Sequence, residues 1–391
     1  MDRADVVIVG GGVMGCALAW QLRRLEPACA VCVLERDPRY LTASSALSAS
    51  SIRQQFSQPV NIALSRYGFE FLRTLGERLA VDGERPDVGL VERGYLYLAT
   101  ADGAATLREL NALQRACGAD IALLEPTALA ARFPWLATDD LALGSLGLRG
   151  EGWFDGYALL QALRRKARAL GARFVQAEAA ALVMQGGRVE AVACADGRRV
   201  ACGELVDAAG PQAAQVAAMA GVALPVVPLR HSVFVFDSRD ALDGVPLVID
   251  PSGFWFRPEG PRRFLVGAPP RDAGSPASAT LEVDHAQFDD ELWPGLAHRV
   301  PAFEAIRRGA AWAGFYEMNT FDHNAVIGRV PGRANFSLLC GFSGHGLQQA
   351  AGAGLALAEI LLHGASRTLD VSTLGFDRIA AGRPVLERNV I

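Results

Sequence analysis

The sequence predicts an α/β fold built on a parallel sheet, and three stretches predict it. In the first, Val6-Val7-Ile8-Val9 runs into Gly10-Gly11-Gly12-Val13-Met14-Gly15, an apolar strand followed by G-x-G-x-x-G. In the second, Leu205-Val206-Asp207 runs into Ala208-Ala209-Gly210-Pro211. In the third, Asn335 to Cys340 runs into Gly341-Phe342-Ser343-Gly344-His345-Gly346. Each reads as a buried strand that breaks at glycine before an apolar helix, the arrangement with which a parallel sheet offers backbone N–H groups to a dinucleotide.

The first stretch is the most complete. Ala17 to Leu25 reads as a helix and Val31 to Leu34 as a second strand, which ends on Glu35 about 20 residues past Gly15. Gly10 permits the tight turn, Gly12 lets a pyrophosphate approach the backbone, and Gly15 lets helix and strand pack closely. Val13 and Met14 lie in the turn that leads into this helix, whose N-terminus favours an anion. Glu35, with Arg36 beside it, is placed to meet a ribose hydroxyl. The second crossing, at Ala209 and Gly210, supplies what the adenosine half of a full dinucleotide needs.

Along the chain, a loop of small hydroxyl residues that includes Ser44, Ser45 and Ser48 leads to Arg53-Gln54-Gln55-Phe56. Apolar spacing predicts a long helix from Pro59 to Leu79. From about Val88 the texture changes to a strand pair at Leu90–Leu98, a helix at Ala104–Ala116 and a short helix after Pro126. The α/β pattern returns at Gly152, with a helix at Tyr157–Leu170 and a strand at Arg173–Val175. Hairpins follow at Gln185-Gly186-Gly187-Arg188 and Ala195-Asp196-Gly197-Arg198. Residues 223–320 read as strands (His231–Phe236, Phe254–Phe256, Phe264–Gly267) with an acidic helical stretch at Asp284–Leu296. Leu347 to Leu362 is a strongly apolar helix. These shifts divide the chain into a nucleotide domain (1–87, 149–222 and 321–391) interrupted by a second domain (88–148 and 223–320).

Composition narrows the function. At 391 residues the chain exceeds one typical domain, and 51% hydrophobic with 20% charged residues is ordinary for an enzyme. A net charge of -4 without a basic run gives no reason to expect nucleic acid. Of the 38 lysines and arginines, Lys166 alone is lysine, so amine chemistry has one candidate, on what reads as the wet face of a helix. The 7 scattered cysteines argue for reduced thiols and a cytoplasmic setting, with no metal site expected; Cys29 and Cys32 have C-x-x-C spacing, but Cys32 falls inside a strand. The N-terminal run ending at Cys16 mimics a lipoprotein signal, yet cleavage there would destroy the glycine fingerprint. No apolar stretch is long enough to span a membrane, which leaves peripheral contact open.

In this order, the fingerprint with Glu35, the serine loop with Arg53, the Val206–Pro211 turn and the terminal Gly341–Gly346 turn resemble the FAD-dependent D-amino-acid oxidase and sarcosine oxidase superfamily over nearly the whole chain. The Ser50–Asn61 and Gly341–Ala351 stretches look like the FAD-dependent oxidoreductase-domain proteins linked to complex I assembly and their bacterial relatives. The resemblance implies a Rossmann-like FAD-binding domain interrupted by a substrate domain whose mainly antiparallel sheet covers the flavin. It implies hydride transfer from a carbon bonded to nitrogen to flavin N5. Gly10, Gly12, Gly15 and Glu35 would bind the ADP half, Ser44, Ser45 and Ser48 would line the flavin, and Gly344, His345, Gly346 and Leu347 would face its pyrimidine edge.

Departures from the family pattern sharpen the expectation. Sarcosine oxidases carry a lysine over the flavin that promotes reaction with oxygen, and Leu265 stands in the similar stretch. Arg53 resembles their carboxylate-binding arginine, but the lysine expected after the last glycine turn is Gln348. The Gly314–Asn319 stretch lacks the cysteine that tethers flavin in some members, so FAD should be non-covalent. The expected activity is an FAD-dependent amine or amino-acid dehydrogenase, more than an efficient oxidase, passing electrons to an unidentified acceptor. Arg53 would hold the substrate carboxylate, and His231, Tyr316 and His345 are the polar candidates near the flavin. The alternatives are an FAD-stabilised assembly or scaffold protein with little turnover, and a 2-hydroxy-acid dehydrogenase, whose carboxylate Arg53 would hold equally well.

Overall fold

The computed structural model describes residues 2–271 and 280–389. Asp2–Val9 is the central strand of the first sheet, with Val31–Glu35 parallel on one side and Arg199–Asp207 parallel on the other. Arg173–Gln176 extends the sheet beyond Val31–Glu35, and Phe336–Cys340 extends it beyond Arg199–Asp207, both parallel. Val326–Arg329 closes that edge antiparallel. The three strands that break at glycine are therefore neighbours, and their turns open at the same sheet end. The two predicted hairpins form from Ala179–Gln185, Arg188–Cys194 and the start of Arg199–Asp207.

Glycine sets how closely the helices lie. The helix Val13–Leu25 is buried from Val13 to Leu22, which explains its lack of a polar face. It packs on Gly346–His363, where a Cβ on Gly354 would lie 2.9 Å from the Ala17 backbone. Gly156–Ala169 covers another side of it, capped at its N-terminus by Asp155, which accepts from Ala158 N at 2.9 Å.

The second sheet is antiparallel except for one pairing. Its order is Ile306–Asn319, Val226–Ser238, Arg263–Gly267, Trp255–Pro258, Leu247–Ile249, Tyr95–Ala99, Leu143–Gly147, Ile121–Leu124, and only Leu247–Ile249 with Tyr95–Ala99 runs parallel. Phenylalanines 234, 236, 256, 264 and 303 fill one of its faces, with rings 5.0 Å apart edge-on between Phe236 and Phe303. On this side Arg299 is buried and bridges Asp250 at 2.6 Å and Asp140 at 2.8 Å.

Three expectations are corrected. The strand pair at 90–98 is one strand, Tyr95–Ala99, preceded by a single bridge from Val91 to Trp153. Gly94 turns the chain between them at φ +82°, where a Cβ would sit 2.3 Å from the Gly147 carbonyl. The helix from Pro59 stops at Arg73, and a separate turn follows at Leu75–Arg78. Thr74 makes the break, donating its hydroxyl to the Glu70 carbonyl at 2.8 Å in competition with the helical ladder. The acidic stretch is helical from His285 to Arg299 but loosens into a π-turn at Phe288–Leu292. Pro294 lies just beyond and has no N–H to give the preceding turn.

Candidate active site

A single cleft runs from the glycine turns of the first sheet to the face of the second. Its anion end is the start of the Val13–Leu25 helix, which has no acidic residue in its first turn. Gly10 sits at φ +102°, and a Cβ there would lie 2.2 Å from the Ala208 carbonyl. Gly12 differs: the nearest atom to a Cβ there is Ser45 Oγ at 3.5 Å, and the rest is open cleft. Ser45 Oγ accepts from Val13 N at 3.1 Å and ties the serine loop to this turn. Glu35 accepts from Gly11 N and Asp37 N, both at 2.8 Å, one on each oxygen. Its carboxylate is thereby held facing the cleft with acceptor capacity to spare.

Every expected site residue lines this cleft except Gly15. Gly15 lies under the turn, where a Cβ would fall 1.9 Å from the Gly10 carbonyl, so its part is packing, not contact. Arg36 follows Glu35; Ser44 and Ser48 line the cleft with Ala209 and Gly210, the last of which would put a Cβ 3.9 Å from the Glu317 carboxyl; Gly344, His345, Gly346 and Leu347 bring a second helix N-terminus, uncapped by any side chain, to the cleft.

Residues 5–360 match the family described as FAD dependent oxidoreductase. FAD-dependent oxidoreductase domain-containing protein 1 of Xenopus laevis is 40% identical over 426 residues, covering 100% of this chain and 85% of that protein. The chain belongs to the FAD-dependent oxidoreductase family. Among solved structures, glycine oxidase from Geobacillus kaustophilus is similar with a TM-score of 0.82 and 26% identity, over 96% of this chain and 98% of that one. L-proline dehydrogenase from P. horikoshii shares the fold with a TM-score of 0.86 at 22% identity, over 98% and 99%.

The residues present fit FAD. Gly12 leaves room for the pyrophosphate where any side chain would intrude, and two helix N-termini face one cleft. Ser44 Oγ, His231 Nε2 and His345 Nε2 line it as buried polar atoms without a protein partner. Buried groups of this kind call for a ligand or water. Among the described residues no cysteine lines the cleft.

The far end is aromatic and carries one cation. Arg53 is 4% exposed, stacks on Phe56 at 3.9 Å and donates from Nη1 to the Gln55 carbonyl at 2.6 Å and from Nη2 to the Asn389 carbonyl. Among the described residues no carboxylate is within ion-pair distance of it. Gln348, where the resemblance expected lysine, accepts from Arg53 N at 2.8 Å and braces the arginine's backbone. Tyr316 stacks on His231 with ring centres 3.8 Å apart and lies against Gly344, where a Cβ would be 2.1 Å from its ring. Burial lowers His231 to about 4 and His345 to about 3, which keeps both imidazoles neutral near pH 7 and makes them weak bases.

Sequence reasoning missed two carboxyls. Glu317 lines the cleft and accepts from Gly341 N at 3.0 Å, bracing the last glycine turn, and burial pushes it up to about 7. Asp207, raised first by burial, accepts from Ala209 N at 3.0 Å and leaves its other oxygen unpartnered. A signal was available only for Asp207, which ends its strand three residues before Gly210; Glu317 lies 24 residues from Gly341 along the chain. Leu265 is sealed among Tyr95, Val233 and Trp255. Lys166 is outside the cleft, donating to the Ala80 carbonyl at 2.6 Å.

Among the described residues no helix is long and apolar enough to cross a membrane, and no group of three His, Cys, Asp or Glu could hold a metal.

Proposed function

We propose that this chain is a dehydrogenase for a small amine or amino acid, N-methylated or not, with Arg53 holding the substrate carboxylate. FAD, when bound, would supply the two-electron acceptor for oxidation of the carbon bonded to nitrogen. The observation that carries the reading is Arg53 itself: a buried guanidinium in the cleft whose hydrogen-bond partners among the described residues are neutral carbonyls. A buried guanidinium with no carboxylate in direct contact among the described residues is costly, and a substrate carboxylate would supply that contact. The aromatic walls formed by Tyr95, Trp255 and Tyr316 exclude water and leave space for a small apolar group beside it. The name of the similar glycine oxidase agrees with an amino-acid substrate.

A protein acceptor for the substrate proton is not required if the amine binds unprotonated, which fits two histidines held neutral by burial. Dehydrogenase is preferred to oxidase because no lysine ammonium reaches the cleft: Leu265 is packed in the sheet and Lys166 is spent on Ala80. Electrons would then leave for an acceptor other than oxygen.

The test is anaerobic bleaching of the holoprotein by amino acids, N-methyl amino acids, simple amines and 2-hydroxy acids. Bleaching by a compound with a carboxylate and an oxidisable C–N bond, followed by slow recovery in air, is expected. Bleaching by hydroxy acids alone would move the chemistry to C–O oxidation. Flavin that dithionite reduces but no compound bleaches would favour a scaffold.

A further inference from the structure

Residues 385–389 reach the substrate end of the cleft. From Val385 the chain crosses back over Asp322, with Val385 N donating to its Oδ2 at 3.0 Å and Glu387 N to its carbonyl at 3.0 Å. The Glu387 side chain is fully buried, yet it has no cationic partner among the described residues. It is held instead by five donors: Ser57 N at 2.8 Å, Ser57 Oγ at 2.7 Å and Asn389 N at 3.0 Å on one oxygen, and Gln58 N at 3.2 Å and Asn61 Nδ2 at 2.9 Å on the other. One residue pair further on, Asn389 Nδ2 donates to the Gln55 carbonyl at 3.0 Å, and the Asn389 carbonyl accepts from Arg53 Nη2. The Gln55 carbonyl also accepts from Arg53 Nη1 at 2.6 Å. Arg53, Gln55 and Asn389 thus close a hydrogen-bonded ring.

We propose that segment 385–389 is a strap that positions Arg53: Glu387 anchors it, and the Asn389 carbonyl fixes the guanidinium so that its remaining N–H donors point at a carboxylate. The inference rests on the reading of Arg53 given above and extends it. One donor on each terminal nitrogen goes to a backbone carbonyl, and the others are left without a protein acceptor. A flexible side chain whose plane is fixed before the ligand arrives has less freedom to lose on binding, and that raises affinity for planar, bidentate anions. Glu387 and Asn389 are positioning residues, since neither meets the ligand.

Two variants separate positioning from folding. Glu387→Gln turns one acceptor oxygen into an NH₂ group facing donors, which loosens the anchor. Truncation after Arg388 removes the Asn389 carbonyl and, of the five donors on Glu387, only Asn389 N. The probe is propionate, a carboxylate with no oxidisable C–N bond, titrated against the holoprotein by the change in the flavin spectrum. FAD affinity and melting temperature are measured alongside, with Arg53→Gln as the reference variant. Propionate binding at least about tenfold weaker in the truncation, a change of about 1.4 kcal/mol, with FAD affinity and melting temperature unchanged, is the expected result. Wild-type propionate affinity in both strap variants, alongside a loss in Arg53→Gln, overturns the strap and leaves the carboxylate site standing. Wild-type affinity in Arg53→Gln removes the carboxylate site and the strap with it. If Glu387→Gln does not fold, the truncation alone decides.

Discussion

Gly12 and Gly15 belong to one motif, but the structure assigns them different duties, and alanine at each position should separate them. Gly12 has φ −63° and ψ −172°, which alanine adopts freely, and the only neighbour of its Cβ would be Ser45 Oγ at an ordinary 3.5 Å. The apoprotein should therefore keep its stability or gain about 0.5 kcal/mol through a less flexible unfolded chain. With FAD the methyl occupies the space of the pyrophosphate and pushes it off the helix N-terminus. Losing two charge-assisted hydrogen bonds at about 1.5 kcal/mol or more each costs about 3 kcal/mol, roughly a hundredfold in affinity. Gly15→Ala instead drives a Cβ to 1.9 Å from the Gly10 carbonyl, so strand and helix must part and the fold itself should lose about 3 kcal/mol or more. The assays are thermal melting of the apoproteins and quenching of free flavin fluorescence on titration. A Gly12→Ala protein that binds FAD within threefold of wild type, or whose apo form melts several degrees lower, would refute the division of roles.

Other outcomes follow from the buried charges. The Glu317 carboxyl titrates at about 7 when folded against 4.5 as a free group, so the stability linked to it is complete below pH 4.5 and is lost as the pH rises through 7. That loss amounts to about 3 kcal/mol at most, and Glu317→Gln should melt progressively better relative to wild type between pH 5 and 8; a constant difference would show the group is not so buried. His231 and His345, lowered to about 4 and about 3, should show imidazole resonances that do not shift between pH 5.5 and 9, and the folded state should weaken as the pH drops below 6.5. Arg299→Ala leaves Asp250 buried and without its ion-pair partner and should cost about 3–5 kcal/mol in urea unfolding, while FAD affinity in the folded protein stays unchanged because Arg299 does not line the cleft.

What could be read from the sequence was local. Three apolar strands each stop at a glycine, and only a parallel sheet uses that pattern three times, so the α/β class and the turn at Gly10–Gly15 were legible from chain order. Glu35 was legible because the distance from Gly15 to the end of the next strand is set by one helix and one strand. The small errors were local too: the sequence shows no sign that Thr74 would give its hydroxyl to Glu70, or that Gly94 would have to pass under the Gly147 carbonyl.

The site's far end was decided elsewhere. Arg53 could be singled out as an arginine after a serine loop, but not that its guanidinium would find two backbone carbonyls and no carboxylate, because the second carbonyl comes from Asn389, 336 residues away. Glu317 reads as one polar residue in a mixed strand until the fold brings it beside the Gly341 turn, 24 residues on. The physical reason is the same for all of them. Strand and helix patterns are written in neighbouring residues, at periods of two and 3.6. Whether a buried charge is paired, orphaned or held neutral depends on groups that only the packing of distant segments brings within a few ångströms.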